Sequence, residues 1–176
     1  MSKDCLKGTL IDKNVIVELN DASRELNNKN CFGNITSKTL QLSMLEALYL
    51  LEKKKLIIYD KRNKEIVYEQ FLKKTKKLTH NFLTIYSVFK DFRGRGYIIK
   101  SALKFGAEFS VYDRGIKPGE DHAKWLVFPV HESEILTWYE FSAKNRVAHS
   151  TRKRLLIAVV DNEGSITYYE IAWKRP

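Results

Sequence analysis

The stretch Tyr112-Asp113-Arg114-Gly115-Ile116-Lys117-Pro118-Gly119-Glu120-Asp121-His122, followed closely by Trp125-Leu126-Val127-Phe128-Pro129-Val130, decides how this chain folds. Residues 108–112, just upstream, alternate in polarity, which is the period-two signature of a strand. Residues 125–130 form a continuous apolar run, as expected of a strand buried on both faces. Between them, Pro118-Gly119 favours a tight turn. The segment is therefore a polar loop held by a sheet, and it is rich in groups that move protons or bind phosphate. Functional side chains concentrate on such loops. Taken alone, a loop His is more often a solvated side chain, and a strand-end Tyr is more often a packing residue.

Downstream, Thr137-Trp138-Tyr139-Glu140 fits a capping box, with Thr137 as the N-cap and Glu140 three residues on. The helix that follows carries Trp138, Phe141, Asn145 and Ala148 on one face. Residues 155–160 read as a second buried strand, 161–164 as a turn, and 165–173 as a closing strand. The run from Lys144 to Arg154 is basic at six of its eleven positions. Cations at a helix C-terminus offset its dipole. They do not explain why the run continues into the start of a buried strand, where it makes a phosphate platform.

Upstream, residues 8–35 predict short strands broken by turns at Asp12-Lys13-Asn14 and Asn27-Asn28-Lys29-Asn30. Residues 36–55 predict a helix through Leu42, Leu45, Leu48 and Tyr49, followed by a strand at 56–59 and a helix over 65–77. A further helix is predicted near 81–93, stopped by Gly94 and Gly96. The class is α+β: a small N-terminal mixed α/β module over 1–82 and a C-terminal sheet carrying helices over 83–176.

The chain has 176 residues, 44% hydrophobic and 30% charged, enough to bury a core and stay soluble. Net charge is +10, from 31 Lys and Arg against 21 Asp and Glu, so a polyanion such as nucleic acid is the expected partner. No apolar run is long enough to span a bilayer, and the polar start, with Lys3, Asp4 and Lys7, is not that of a signal peptide. The expected location is cytoplasmic, with Cys5 and Cys31 as reduced thiols. The four histidines lack metal-ligand spacing, so structural zinc is not expected, and the expected cofactor is none.

On these residues the chain resembles the tRNA-splicing endonuclease family. The resemblance rests on Tyr112-Asp-Arg-Gly, Pro118-Gly and His122-Ala-Lys-Trp-Leu-Val, then Arg146-Val-Ala-His-Ser and Lys153 before the strand at 155–160. Arg93-Gly-Arg-Gly-Tyr and Lys104-Phe-Gly-Ala-Glu-Phe add to it, over residues 82–176. It implies a catalytic domain with a mixed central sheet flanked by helices. It also implies a metal-independent reaction in which Tyr112 helps take the proton from a ribose 2′-hydroxyl, His122 protonates the departing 5′-oxygen and Lys153 stabilises the charge between them. The implied substrate is precursor tRNA carrying a bulge-helix-bulge element, with Arg146 matching one arm of a base clamp and Trp173 the candidate for the other. The implied assembly is a homotetramer, with Asp161, Glu163, Tyr168 and Tyr169 at subunit interfaces. The alternative is a noncatalytic structural or RNA-binding subunit of a related enzyme, which would lack part of the triad; this chain keeps all three positions. A generic basic RNA-binding protein would bind without cutting, and a metal-dependent nuclease is disfavoured by the missing ligands.

Overall fold

The computed structural model describes residues 5–174 and divides into two compact units, Met1–His80 and Asn81–Pro176.

In the first unit, β1 (Leu6–Ile11) and β2 (Asn14–Glu18) form an antiparallel hairpin. Then come α1 (Asp21–Asn30), β3 (Asn34–Thr36), β4 (Thr39–Ser43), α2 (Met44–Glu52), β5 (Leu56–Tyr59), β6 (Glu65–Ile66) and α3 (Tyr68–Lys76). The sheet runs β3-β4-β2-β1-β5-β6 and is mixed, since β1 and β5 are parallel. Its core contains Val15, Val17, Leu40, Leu42, Leu48, Leu56, Ile58 and Phe71, all essentially without solvent contact.

Two elements here differ from the sequence expectation. Residues 21–30 are helical rather than extended. Asn20 caps α1 through the Ser23 amide at 2.8 Å, and Cys31 ends it in the left-handed conformation at φ 55°. The expected helix at 36–55 begins only at Met44, because Leu40 and Leu42 are buried as alternate residues of β4. Ser43 then starts α2 with a capping box to Glu46, whose carboxylate accepts from the Ser43 amide at 2.9 Å.

The second unit starts with α4 (Phe82–Gly94) and β7 (Ile98–Ala102). A short 3-10 turn, Leu103–Phe105, leads to β8 (Ala107–Tyr112) and β9 (Trp125–His131). Next come α5 (Trp138–Ser150), β10 (Arg154–Val160) and β11 (Ile166–Ile171). The sheet order is β11-β10-β9-β8-β7. Only β9 and β10, joined through α5, are parallel, so this sheet is mixed as well. Helices cover both of its faces. Phe109 and Val127 are register partners, and Phe89 of α4 meets Phe109 at 6.0 Å between ring centres. The alternate residues Leu126 and Phe128 cluster with Leu155 and with Ala148 of α5. Thr137 caps α5 as the sequence predicts, with Glu140 returning to the Thr137 amide at 2.9 Å. Among the described residues, no helix is long and apolar enough to cross a membrane.

Candidate active site

Strand register gathers the catalytic candidates at one end of the C-terminal sheet. Val111 pairs with Trp125, and Trp125 pairs with Arg154. The pairing extends one step outward, where the Lys124 amide donates to the Val111 carbonyl and the Arg154 amide to the Lys124 carbonyl, both at 2.9 Å. Tyr112 is the last residue of β8, His122 lies just before β9, and Lys153 immediately precedes β10. These three strands are neighbours, so Tyr112 and Lys153 start from backbones two strand spacings apart, about 10 Å.

Tyr112 and Lys153 also share a face. Val111 is fully buried on the α4 side with Phe109, and alternation turns half-buried Tyr112 to the α5 side. Lys153 is half-buried and follows Arg152, which is left-handed at φ 55°. Its Nζ donates to the Thr151 carbonyl at 3.0 Å and lies 5.0 Å from the centre of the Phe105 ring. Phe105 packs against the α5-side core of Leu126, Phe128 and Leu155, so the ammonium is held between a carbonyl and an aromatic face. His122 is exposed, and its amide donates to Asp121 Oδ1 at 2.6 Å.

The loop between Tyr112 and His122 is closed at its base by an ion pair. Lys124 Nζ donates to Asp113 Oδ2 at 2.9 Å, and the Arg114 amide donates to the other Asp113 oxygen at 3.0 Å. The Lys124 hydrogen bond, with the Arg114 amide, holds the Asp113 carboxyl below the usual carboxylate range. At the tip, the Lys117 amide donates to Glu120 Oε2 at 2.9 Å, and Gly119 takes φ +99°, which a β-carbon disfavours.

A second layer lies behind the loop on the α4 side. The Arg114 guanidinium sits 4.9 Å from the Tyr97 ring centre, and Lys124 Nζ sits 4.4 Å from that of Trp125. Tyr97 and Trp125 meet edge to face at 5.9 Å. Glu170 of β11 accepts from Trp125 Nε1 and from Arg154 Nη1, each at 2.6 Å. The Trp125 hydrogen bond, followed by Arg154, keeps the Glu170 carboxyl below its ordinary range.

Arg146 is exposed on α5, one turn before His149. The His149 ring meets Trp173 edge to face at 4.6 Å, and Trp173 remains 52% exposed. Arg146 lies three positions before His149 on α5, a spacing that puts the two side chains on neighbouring positions of the helix surface.

The remaining expected residues lie elsewhere. Asp161 and Glu163 occupy the β10–β11 turn, at the opposite end of the sheet, where Asp161 Oδ1 accepts from the Glu163 and Ser165 amides at 3.0 and 2.8 Å. Tyr169, on the edge strand, is exposed. The Tyr168 ring packs on α4 of its own unit, 5.2 Å from Phe92, and its hydroxyl donates to Asp91 Oδ2 at 2.7 Å. Burial, and then the Asp91 bond, push the Tyr168 hydroxyl well above its usual range.

Sequence reasoning missed Phe105, the Asp113–Lys124 pair and the Trp125–Glu170–Arg154 link. Opposite charges flanking the loop were the available signal for the ion pair. Nothing local pointed to Glu170, which lies 45 positions from Trp125.

Fold and site together define a two-unit α+β protein whose C-terminal mixed sheet gathers a tyrosine, a histidine and a lysine at one basic end. The profile described as tRNA intron endonuclease, catalytic C-terminal domain, matches residues 82–168, and that of the tRNA intron endonuclease N-terminal domain matches residues 6–72. The chain belongs to the tRNA intron endonuclease family. It is 42% identical over 152 residues to a tRNA-splicing endonuclease of Nanoarchaeum equitans, covering 82% of this chain and 97% of that one. Similarity to the tRNA-splicing endonuclease of Methanothermobacter thermautotrophicus is 38% identity over 171 residues, with 97% and 99% of the two chains covered. Its counterpart from Thermococcus onnurineus is 39% identical over 158 residues, 90% of each chain.

Proposed function

We propose that this chain is a tRNA-splicing endonuclease that cuts precursor tRNA at bulge-helix-bulge elements by metal-independent attack of a ribose 2′-hydroxyl on the adjacent phosphate. The observation that carries this proposal is the gathering of Tyr112, His122 and Lys153 at one end of three adjacent strands. Family membership and the names of the similar proteins support it.

In this mechanism Tyr112 accepts or orients the 2′-hydroxyl proton. His122 donates a proton to the departing 5′-oxygen, a general-acid task that an imidazole can perform. Lys153 stabilises the charge that develops on the phosphate. Fixing its ammonium against Thr151 and Phe105 in advance is what makes such stabilisation effective, because no reorganisation is needed during the reaction. The products are a 2′,3′-cyclic phosphate and a 5′-hydroxyl.

Bulged RNA is recognised by shape and by splayed bases. Arg146 and Trp173 form the base-binding flank, where each stacked base contributes about 1–3 kcal/mol. Two bulges require two sites at fixed separation, which symmetric assembly supplies. A homotetramer would use the 161–164 turn, with Asp161 and Glu163, and the β11 edge, with Tyr168 and Tyr169. Residues 83–176 form the catalytic domain of this scheme and residues 1–82 the smaller module.

The test is cleavage of a bulge-helix-bulge RNA by purified protein in EDTA. His122→Ala and Lys153→Ala should each lose about 10²-fold or more in rate while keeping the wild-type melting temperature. Full activity of both variants, or a strict Mg²⁺ requirement, overturns the proposal.

A further inference from the structure

Two of the three catalytic candidates hang from strand starts that one carboxylate ties together. Trp125 opens β9, three residues after His122, and Arg154 opens β10, directly after Lys153. Glu170 Oε2 accepts from the Trp125 indole and Oε1 from the Arg154 guanidinium, both at 2.6 Å, from the neighbouring strand β11. The carboxylate bridges the two donors, one oxygen to each, and both bonds are charge-assisted. Lys124, between His122 and Trp125, is drawn into the same arrangement by its position over the Trp125 ring and by its bond to Asp113. The carboxylate lies on the α4 side, whereas Tyr112 and Lys153 face the α5 side. Glu170 therefore acts through the backbone and does not meet the reacting groups.

We infer that Glu170 is a positioning residue for cleavage, whose bridge between Trp125 and Arg154 sets the relative placement of the His122 and Lys153 backbones. The inference rests on the endonuclease proposal above. Proton donation to a leaving group and charge stabilisation on the same phosphate need their donors in one geometry, and displacement by about 1 Å can cost 10²-fold in rate. Removing the bridge deletes one negative charge and no cation. Catalysis should suffer while binding does not.

The experiment is single-turnover cleavage of a bulge-helix-bulge RNA by wild type, Glu170→Gln, Trp125→Phe and the double variant, with RNA affinity and thermal melting measured on each. Gln keeps the size of Glu170 but presents an amide N–H₂ toward Arg154 or Trp125, so one arm of the bridge is lost. Phe keeps an aromatic ring at position 125 but loses the N–H donor and part of the ring surface beneath Lys124. The saturating rate of Glu170→Gln should fall about tenfold or more, with RNA affinity unchanged or tighter. Trp125→Phe should fall less. The double variant should lose less than the product of the two single losses, because both changes act on one link.

A saturating rate for Glu170→Gln within about twofold of wild type overturns the inference. Losses that simply multiply in the double variant and track the drop in melting temperature also overturn it, by reducing Glu170 to ordinary structural support. A wild-type chain that leaves the RNA uncut overturns the endonuclease proposal itself, and with it the catalytic role of the bridge.

Discussion

Tyr168→Phe removes a single hydroxyl from the contact between β11 and α4. That hydroxyl donates to Asp91 Oδ2 at 2.7 Å, and the same oxygen accepts from Arg95 Nε at 2.8 Å. Hydrogen bonds to charged acceptors contribute about 1.5–3 kcal/mol. Here Asp91 keeps Arg95 as a partner and its side chain is 26% exposed, so water can replace the lost donor. The cost should fall at or just below the lower end of that range, about 1–2 kcal/mol, because the ring contact with Phe92 survives. Urea unfolding at pH 7 should show a lower midpoint at unchanged slope. The pH dependence supplies a second readout. Burial and Asp91 raise the folded-state pKa of Tyr168, so the folded chain keeps a proton that the unfolded chain releases near pH 10. This stabilisation is complete below about pH 10 and is lost as pH rises from there through the folded pKa. The wild-type advantage over Tyr168→Phe should therefore shrink on titration into the alkaline range. Equal midpoints at pH 7, or a difference that does not change with alkaline pH, would refute the reasoning.

Leu126→Ala empties a fully buried position between Phe128, Leu155 and Ala148, and should cost about 2–5 kcal/mol in urea unfolding. Thr137→Ala deletes the cap of α5 and should cost about 1 kcal/mol by the same measurement. Asp113→Asn breaks the pair with Lys124 at the base of the 112–122 loop; on the proposed mechanism cleavage should slow by about tenfold with little change in melting temperature, since the pair is partly exposed. The Asp113 carboxyl is held below the usual carboxylate range, so the pair persists through neutral pH and is lost only as acid takes the pH through that lowered value. The variant's rate deficit should accordingly be constant between about pH 5.5 and 8.

The parts of this fold legible in sequence are those with one unambiguous period. Residues 108–112, the Pro118-Gly119 turn and the apolar run at 125–130 gave the strand–loop–strand centre, and the Thr137–Glu140 capping box located α5. Helix α1 was hidden because DASRELNNKN has no apolar stripe; its start depends on Asn20 and Ser23 rather than on burial. Strand β4 was hidden because Leu42 both alternates with Leu40 and opens the helical spacing of Leu45 and Leu48, and only the Ser43–Glu46 box marks the change. Tyr112, His122 and Lys153 stood out through family-like motifs, and strand register brought them to one end of the sheet. The supporting contacts were not legible, since Glu170 meets Arg154 and Trp125 only after β11 folds back along β10.

In the proposed mechanism a ribose 2′-hydroxyl attacks the adjacent phosphate where β8 ends and β9 and β10 begin. A bulge-helix-bulge RNA with a single 2′-deoxyribose at one scissile position tests it most directly. In EDTA, the wild-type protein should leave that position intact and still cut the unmodified bulge to 2′,3′-cyclic phosphate and 5′-hydroxyl ends. Efficient cutting at the deoxy position, or 3′-hydroxyl and 5′-phosphate ends at either one, would contradict it.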